Sequence, residues 1–194
     1  MALPKESRLP GTAQEVEQAG KLADEFRVLH LLESEATPQR VSEAMKGSNW
    51  VHFACHGMQD SDNPTQSCLW LAQHSKLTIS DIINLSLKNS ELAFLSACET
   101  ATGDKTLEEE SVHLAACMLL AGYRGVIATM WMIEDDVAVQ IADETYRRLF
   151  QKYKADPAYA AEALYFAIMK VRENQEAKGK SSLFAWVPFI HMGI

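Results

Sequence analysis

Two residues of this 194-residue chain have both the type and the setting for covalent chemistry. His56 follows the apolar run Trp50-Val51-His52-Phe53-Ala54-Cys55 and precedes Gly57, while Cys98 follows Glu91-Leu92-Ala93-Phe94-Leu95-Ser96-Ala97. A thiol attacks a peptide carbonyl only as thiolate, so it needs a base or a positive field beside it. Imidazole titrates near neutrality; it takes the thiol proton and later protonates the leaving amine. Gly57 has no side chain, which lets its N–H approach a substrate carbonyl and, with the Cys98 N–H, hold the developing oxyanion. A plainer reading stays open from these residues alone: a structural histidine at a strand end, and a cysteine that fills apolar space. His52 is the rival base, but it lies inside the strand and reads as core. Cys55 shares that strand with His56 and is expected on its opposite face. His113 and Cys117 stand four apart, as helical zinc ligands can, yet no Cys-x-x-Cys accompanies them and no metal is expected.

Both groups must be carried to one place by the elements around them. A helix is predicted over 13–34 from the stripe Val16, Ala19, Leu22, Ala23, Phe26 and Leu29. Thr37-Pro38 opens a second helix and Gly47 closes it. Residues 50–55 form a buried strand and 58–67 a polar loop. Cys68–Ala72 and Lys76–Ile79 make a hairpin around Gln73-His74-Ser75. Thr78 with Asp81 is a capping box for a helix to about Leu87. Residues 91–96 form a second buried strand, then come a polar loop over 99–109 and a helix over 110–121, stopped by Gly122. A third buried strand spans 125–130. Helices follow over 135–153 and 157–176, and a last strand over 186–191. Apolar strands alternating with amphipathic helices imply an α/β fold with a mostly parallel sheet covered on both faces. Ligands bind such sheets beyond the carboxyl ends of the strands, where His56, Cys98 and the cluster Glu134-Asp135-Asp136 all fall. Residues 1–12 read as a flexible leader, and 13–194 as one domain.

Composition limits the partners. Lysine and arginine number 18 against 26 acidic residues, a net charge of −8 that argues against nucleic acid. The four cysteines, at 55, 68, 98 and 117, lack the dense spacing of a secreted disulfide scaffold. Reduced thiols and a cytoplasmic location are expected. The first residues lack the apolar core of a signal peptide, and the longest apolar run, Leu114 to Ala121, is too short to span a bilayer. No glycine-rich phosphate loop is present, and no cofactor is expected.

The ordered motifs resemble one family. They are Ala36-Thr37, Val51-His52-Phe53-Ala54-Cys55-His56-Gly57, Leu77-Thr78-Ile79-Ser80-Asp81-Ile82 and Leu95-Ser96-Ala97-Cys98-Glu99-Thr100, then Leu120 through Trp131 and Trp186 through Gly193. Together they resemble the CHAT domain, a member of the caspase-like group of cysteine peptidases that includes separase and gingipain. Cys55, where relatives often carry Thr or Ser, and Met130, where Leu usually precedes the tryptophan, depart from the pattern without removing a catalytic group. The resemblance implies a caspase-like α/β fold, a mostly parallel β-sheet sandwiched by α-helices, with His56 as base and Cys98 as nucleophile. It also implies an acidic residue after Trp131 that lines the pocket for the residue before the cut. Asp135 matches that position best and Asp136 second; Glu99 and Trp131 are further candidates for the pocket wall. A carboxylate there would select Arg or Lys in a protein or peptide substrate. The competing view of Glu134-Asp135-Asp136 is a helix start favoured by its dipole. By the same resemblance, regulation by a tetratricopeptide-repeat domain in cis or in trans is expected, in defence or cell-death proteolysis. A non-catalytic CHAT module that binds peptides and signals by assembly is the alternative. A cysteine hydrolase acting on small esters is a third.

Overall fold

In the computed structural model, the described residues are 10–23, 25–58, 60, 62–96, 98–99, 111–130, 134–177, 179 and 186–194. The central strands β5 (Leu92–Leu95) and β7 (Gly125–Thr129) are buried at every position, so they read as unbroken apolar runs. With β1 (Trp50–Phe53) and β8 (Phe189–Gly193) they form a sheet in the order β1-β5-β7-β8. The first three strands are parallel, and β8 runs antiparallel to β7 at the edge. Alternation along the strands divides the core. Ala93, Leu95, Val126 and Ala128 pack into one cluster, and Leu92, Phe94 and Ile127 into another on the opposite face.

The helices cover these two faces. α2 (Pro38–Lys46), α3 (Ile79–Asn84) and α4 (Ser111–Leu120) contribute Val41, Met45, Ile79, Ile82, Leu114 and Met118 to the first cluster. α5 (Asp135–Arg147) and α6 (Ala160–Ala177) contribute Val137, Ile141, Ala163, Leu164 and Ala167 to the second. The predicted caps are present. Thr37 Oγ1 accepts from the Arg40 N–H, and Thr78 and Asp81 make both bonds of the capping box. α4 ends in a Schellman pattern: the Tyr123 N–H donates to Met118 O and the Gly122 N–H to Leu119 O. Gly122 holds φ +115°, and a Cβ there would stand 2.7 Å from the Leu87 carbonyl oxygen, so glycine is required. The predicted helix from 135 is an α-helix to Arg147 that continues as a π-turn over Arg148–Lys152.

The first helix departs from expectation. α1 spans Pro10–Leu22, so residues 10–12 of the segment read as a leader are helical, and residues 1–9 lie outside the described ones. After Leu22 the chain turns back and lays the His30 imidazole directly against Gly20, where a Cβ would require the ring to move. Phe26 and Leu29 keep the helical spacing but lie beyond the helix, 51% and 61% exposed. Through Glu15, α1 is fastened to the strand that leads to His56. The Glu15 carboxylate is 3% exposed, with Oε1 3.0 Å from His52 Nε2. The pair is close but out of line for a hydrogen bond.

A second sheet, of order β4-β3-β2-β6, was not visible in the strand pattern. It comprises β2 (His56–Met58), β3 (Cys68–Leu71), β4 (Ser75–Thr78) and β6 (Cys98–Glu99). The predicted hairpin supplies β3 and β4. β1 stops at Phe53, and after Ala54 and Cys55 the chain resumes as β2; His56 therefore opens a new strand and does not close the first. Met58 belongs to this strand and not to the polar loop. Cys55 lies in the break, half-buried against the first core cluster, and does not share a strand with His56.

Candidate active site

The two sheets meet along the chain in a way that keeps register. Phe53 faces Leu95 in the parallel pair β1–β5, and three residues further on both strands His56 faces Cys98 in the parallel pair β2–β6. The Ser96 N–H donates to Phe53 O at 2.9 Å, tying the two breaks together. Adjacent strands lie about 4.8 Å apart, so the backbone brings the base candidate and the nucleophile candidate to neighbouring positions on one ladder. The Cys98 side chain lies outside the described residues. His56 is half-buried, and Gly57, which is buried, pairs with Leu69 on one side and Glu99 on the other.

The rival histidine, His52, and the thiols of Cys68 and Cys117 are accounted for elsewhere. His52 sits on β1, stacked on Phe94 with ring centroids 4.8 Å apart and planes 6° from parallel. Its Nδ1 is 3.0 Å from the Tyr146 hydroxyl. Burial, with the Glu15 charge adding, holds the Tyr146 phenol far above its usual pKa, so the hydroxyl keeps its proton beside the ring. His52 is core, as its place inside the strand suggested. Burial also raises the thiol pKa of Cys68, against a smaller opposing pull from Lys76, and burial alone raises that of Cys117. Both are held as unreactive thiols. Among the described residues no group of three or more His, Cys, Asp and Glu is arranged to hold a metal. The His113 side chain is not among them.

The pocket candidates are placed unevenly. Trp131 lies outside the described residues. Asp135 is the first residue of α5, though its side chain is not described, and Asp136 is exposed on the same turn. A helix therefore does start at this acidic cluster, as the dipole argument requires. β7, which leads to it, ends at Thr129, and the Met130 N–H donates to Pro188 O at 2.8 Å. Glu99 holds the register position beside Gly57, the alternate of the one beside His56.

Sequence reasoning missed what flanks His56 on its other side. In β3 the residue opposite His56 is Trp70, and the residue opposite Trp70 in β4 is Lys76. The predicted hairpin, centred on His74, pairs Trp70 with Thr78 and not with Lys76, and nothing in two- or three-residue strands announces that His56 joins that row.

The model of the CHAT domain family matches residues 2–194 of the chain. No curated protein matches it. Among the described residues no helix is long and apolar enough to cross a membrane.

Proposed function

The chain belongs to the CHAT domain family, a caspase-like family related to cysteine proteases, and we propose that it is itself a cysteine endopeptidase acting through His56 and Cys98. What supports this reading is the register pairing of those two residues where the strands enter the second sheet. His56 takes the Cys98 proton, and the sulfur attacks the substrate carbonyl to give a tetrahedral oxyanion, met by the Gly57 and Cys98 N–H groups. Collapse breaks the C–N bond, His56 protonates the departing amine, and a thioester remains. Water, deprotonated by His56, then attacks the thioester, and the thiol is regenerated as the acid product leaves.

Asp135, with Asp136, Glu99 and Trp131 around it, lines the pocket for the residue before the cut and selects Arg or Lys. A neutral side chain there would leave a carboxylate unpaired. The substrate is a protein in the cytoplasm, and a tetratricopeptide-repeat domain, attached or separate, governs access to it in defence or cell-death proteolysis.

Profiling cleavage in a complex peptide mixture tests the assignment. Wild type is expected to cut after Arg and Lys, and Asp135→Ala to weaken that selection by about tenfold or more. Cuts after apolar residues in the wild type would end the acidic-pocket reading. A chain that labels with thiol probes and turns over small esters but no peptide would be an acyl hydrolase. One that binds peptides without labelling at Cys98 would be a signalling module.

A further inference from the structure

We propose that Trp70 and Lys76 form the subsite for the segment that departs after the cut, taking an apolar or aromatic side chain at the first residue and a carboxylate at the second. The inference rests on the peptidase reading for its direction and on the ladder for its residues.

Register pairs run continuously across the second sheet: Lys76 with Trp70, Trp70 with His56, and His56 with Cys98. The adjacent row runs from Leu77 through Leu69 to Gly57, and Leu77 and Leu69 are 1% and 0% exposed within the first core cluster. Side chains alternate across a pleated sheet, so the row holding Trp70 and Lys76 looks away from that core. Burial agrees: Lys76 is exposed and Trp70 half-buried. Among the described residues, Trp50 and Trp186 pack against the second core cluster, whereas Trp70 belongs to neither cluster. A large indole left out of the core beside a proposed catalytic base is a wall for something else to rest on.

The chemistry of the row identifies that occupant. His56 protonates the leaving amine, so the departing segment passes on the His56 side of Cys98. Trp70 and Lys76 stand one and two strands further, roughly 5 and 10 Å away, a span that an extended peptide covers in two to three residues. The Lys76 ammonium lies over the Trp70 ring, 4.7 Å from its centroid, which fixes a positive charge against the indole. An apolar side chain on the indole and a carboxylate at the ammonium match this pair. A basic residue at that second position meets like charge.

The test measures affinity in the Cys98→Ala chain, which traps peptide uncut. Fluorescein-labelled peptides are randomised before the cut and carry Phe after it, followed by either Glu or Lys. The Glu peptides are expected to bind roughly threefold to fivefold tighter, as an exposed ion pair allows. Lys76→Glu should reverse that order, and Trp70→Ala should weaken both sets. Trp70→Phe, a milder change that keeps an aromatic surface, should retain most of the affinity. Equal binding of the two sets, no binding, or an order untouched by Lys76→Glu overturns the proposal. The same peptides given to the chain with Cys98 intact separate the two readings. Cleavage without charge preference ends this inference and leaves the peptidase; charge-selective binding without cleavage ends the peptidase and, with it, the leaving-segment role, and leaves Trp70 and Lys76 as a peptide-binding surface only; failure of both removes both.

Discussion

Replacing Cys98 with alanine is expected to abolish peptide cleavage, and replacing His56 with alanine to lower kcat/KM by about 10²- to 10⁴-fold. The two residues act on one proton and one sulfur, so their losses do not add. The double variant should fall no lower than Cys98→Ala alone, the behaviour of groups that work as a unit. His56 opens a three-residue strand and is half-buried, so its truncation removes no large share of the core, and urea unfolding should stay close to wild type. Cleavage that survives in Cys98→Ala ends the assignment. Loss of cleavage together with loss of cooperative unfolding would assign these residues to the fold.

The second large effect concerns stability and a different histidine. Glu15→Ala should cost about 1 to 3 kcal/mol, because it opens space beneath α1 and leaves the half-buried His52 ring without the polar group beside it. The carboxylate is 3% exposed and 3.0 Å from His52 Nε2. Tyr146 holds the far side of the ring and Phe94 its face. Whole-domain stabilities are of order 5 to 15 kcal/mol, so this single change consumes a large part of the total. The double replacement Glu15→Leu with His52→Phe should recover most of the loss, since apolar side chains of similar size replace buried pairs at little cost. It should also preserve labelling of Cys98 by a thiol probe, which separates His52 from His56. A loss below about 1 kcal/mol for Glu15→Ala, or costs that simply add in the double variant, would show that the pair does not couple α1 to β1.

How far the sequence reveals the molecule depends on the length of each element. The strands over 92–95 and 125–129 are buried throughout and announce themselves as apolar runs. Thr37, Thr78 with Asp81, and Gly122 mark helix ends through local hydrogen bonds that need no tertiary partner. β2 and β6 carry three and two residues, too few for any period to register, and their pairing depends on strands already in place. The placement of His56 beside Cys98 follows from the family motifs, whereas Trp70 in the same row does not. Periodicity also overshoots, as at Phe26 and Leu29, where the spacing continues but the chain has turned back over Gly20. The last strand begins at Phe189 and not at Trp186, because Trp186–Pro188 forms a turn before it. Glu15 reads as an ordinary polar helix position until His52 is seen beneath it.

The pH dependence of Cys98 alkylation, followed by mass spectrometry in wild type and His56→Ala, reaches the central claim most directly. An imidazole beside the sulfur should make wild-type Cys98 react at pH 6 to 7 about tenfold or more faster than in the variant, with the gap closing as the pH passes the ordinary thiol pKa of about 8.5. Identical profiles in the two proteins would contradict the account, because sulfur 98 would then owe nothing to its neighbour on the ladder.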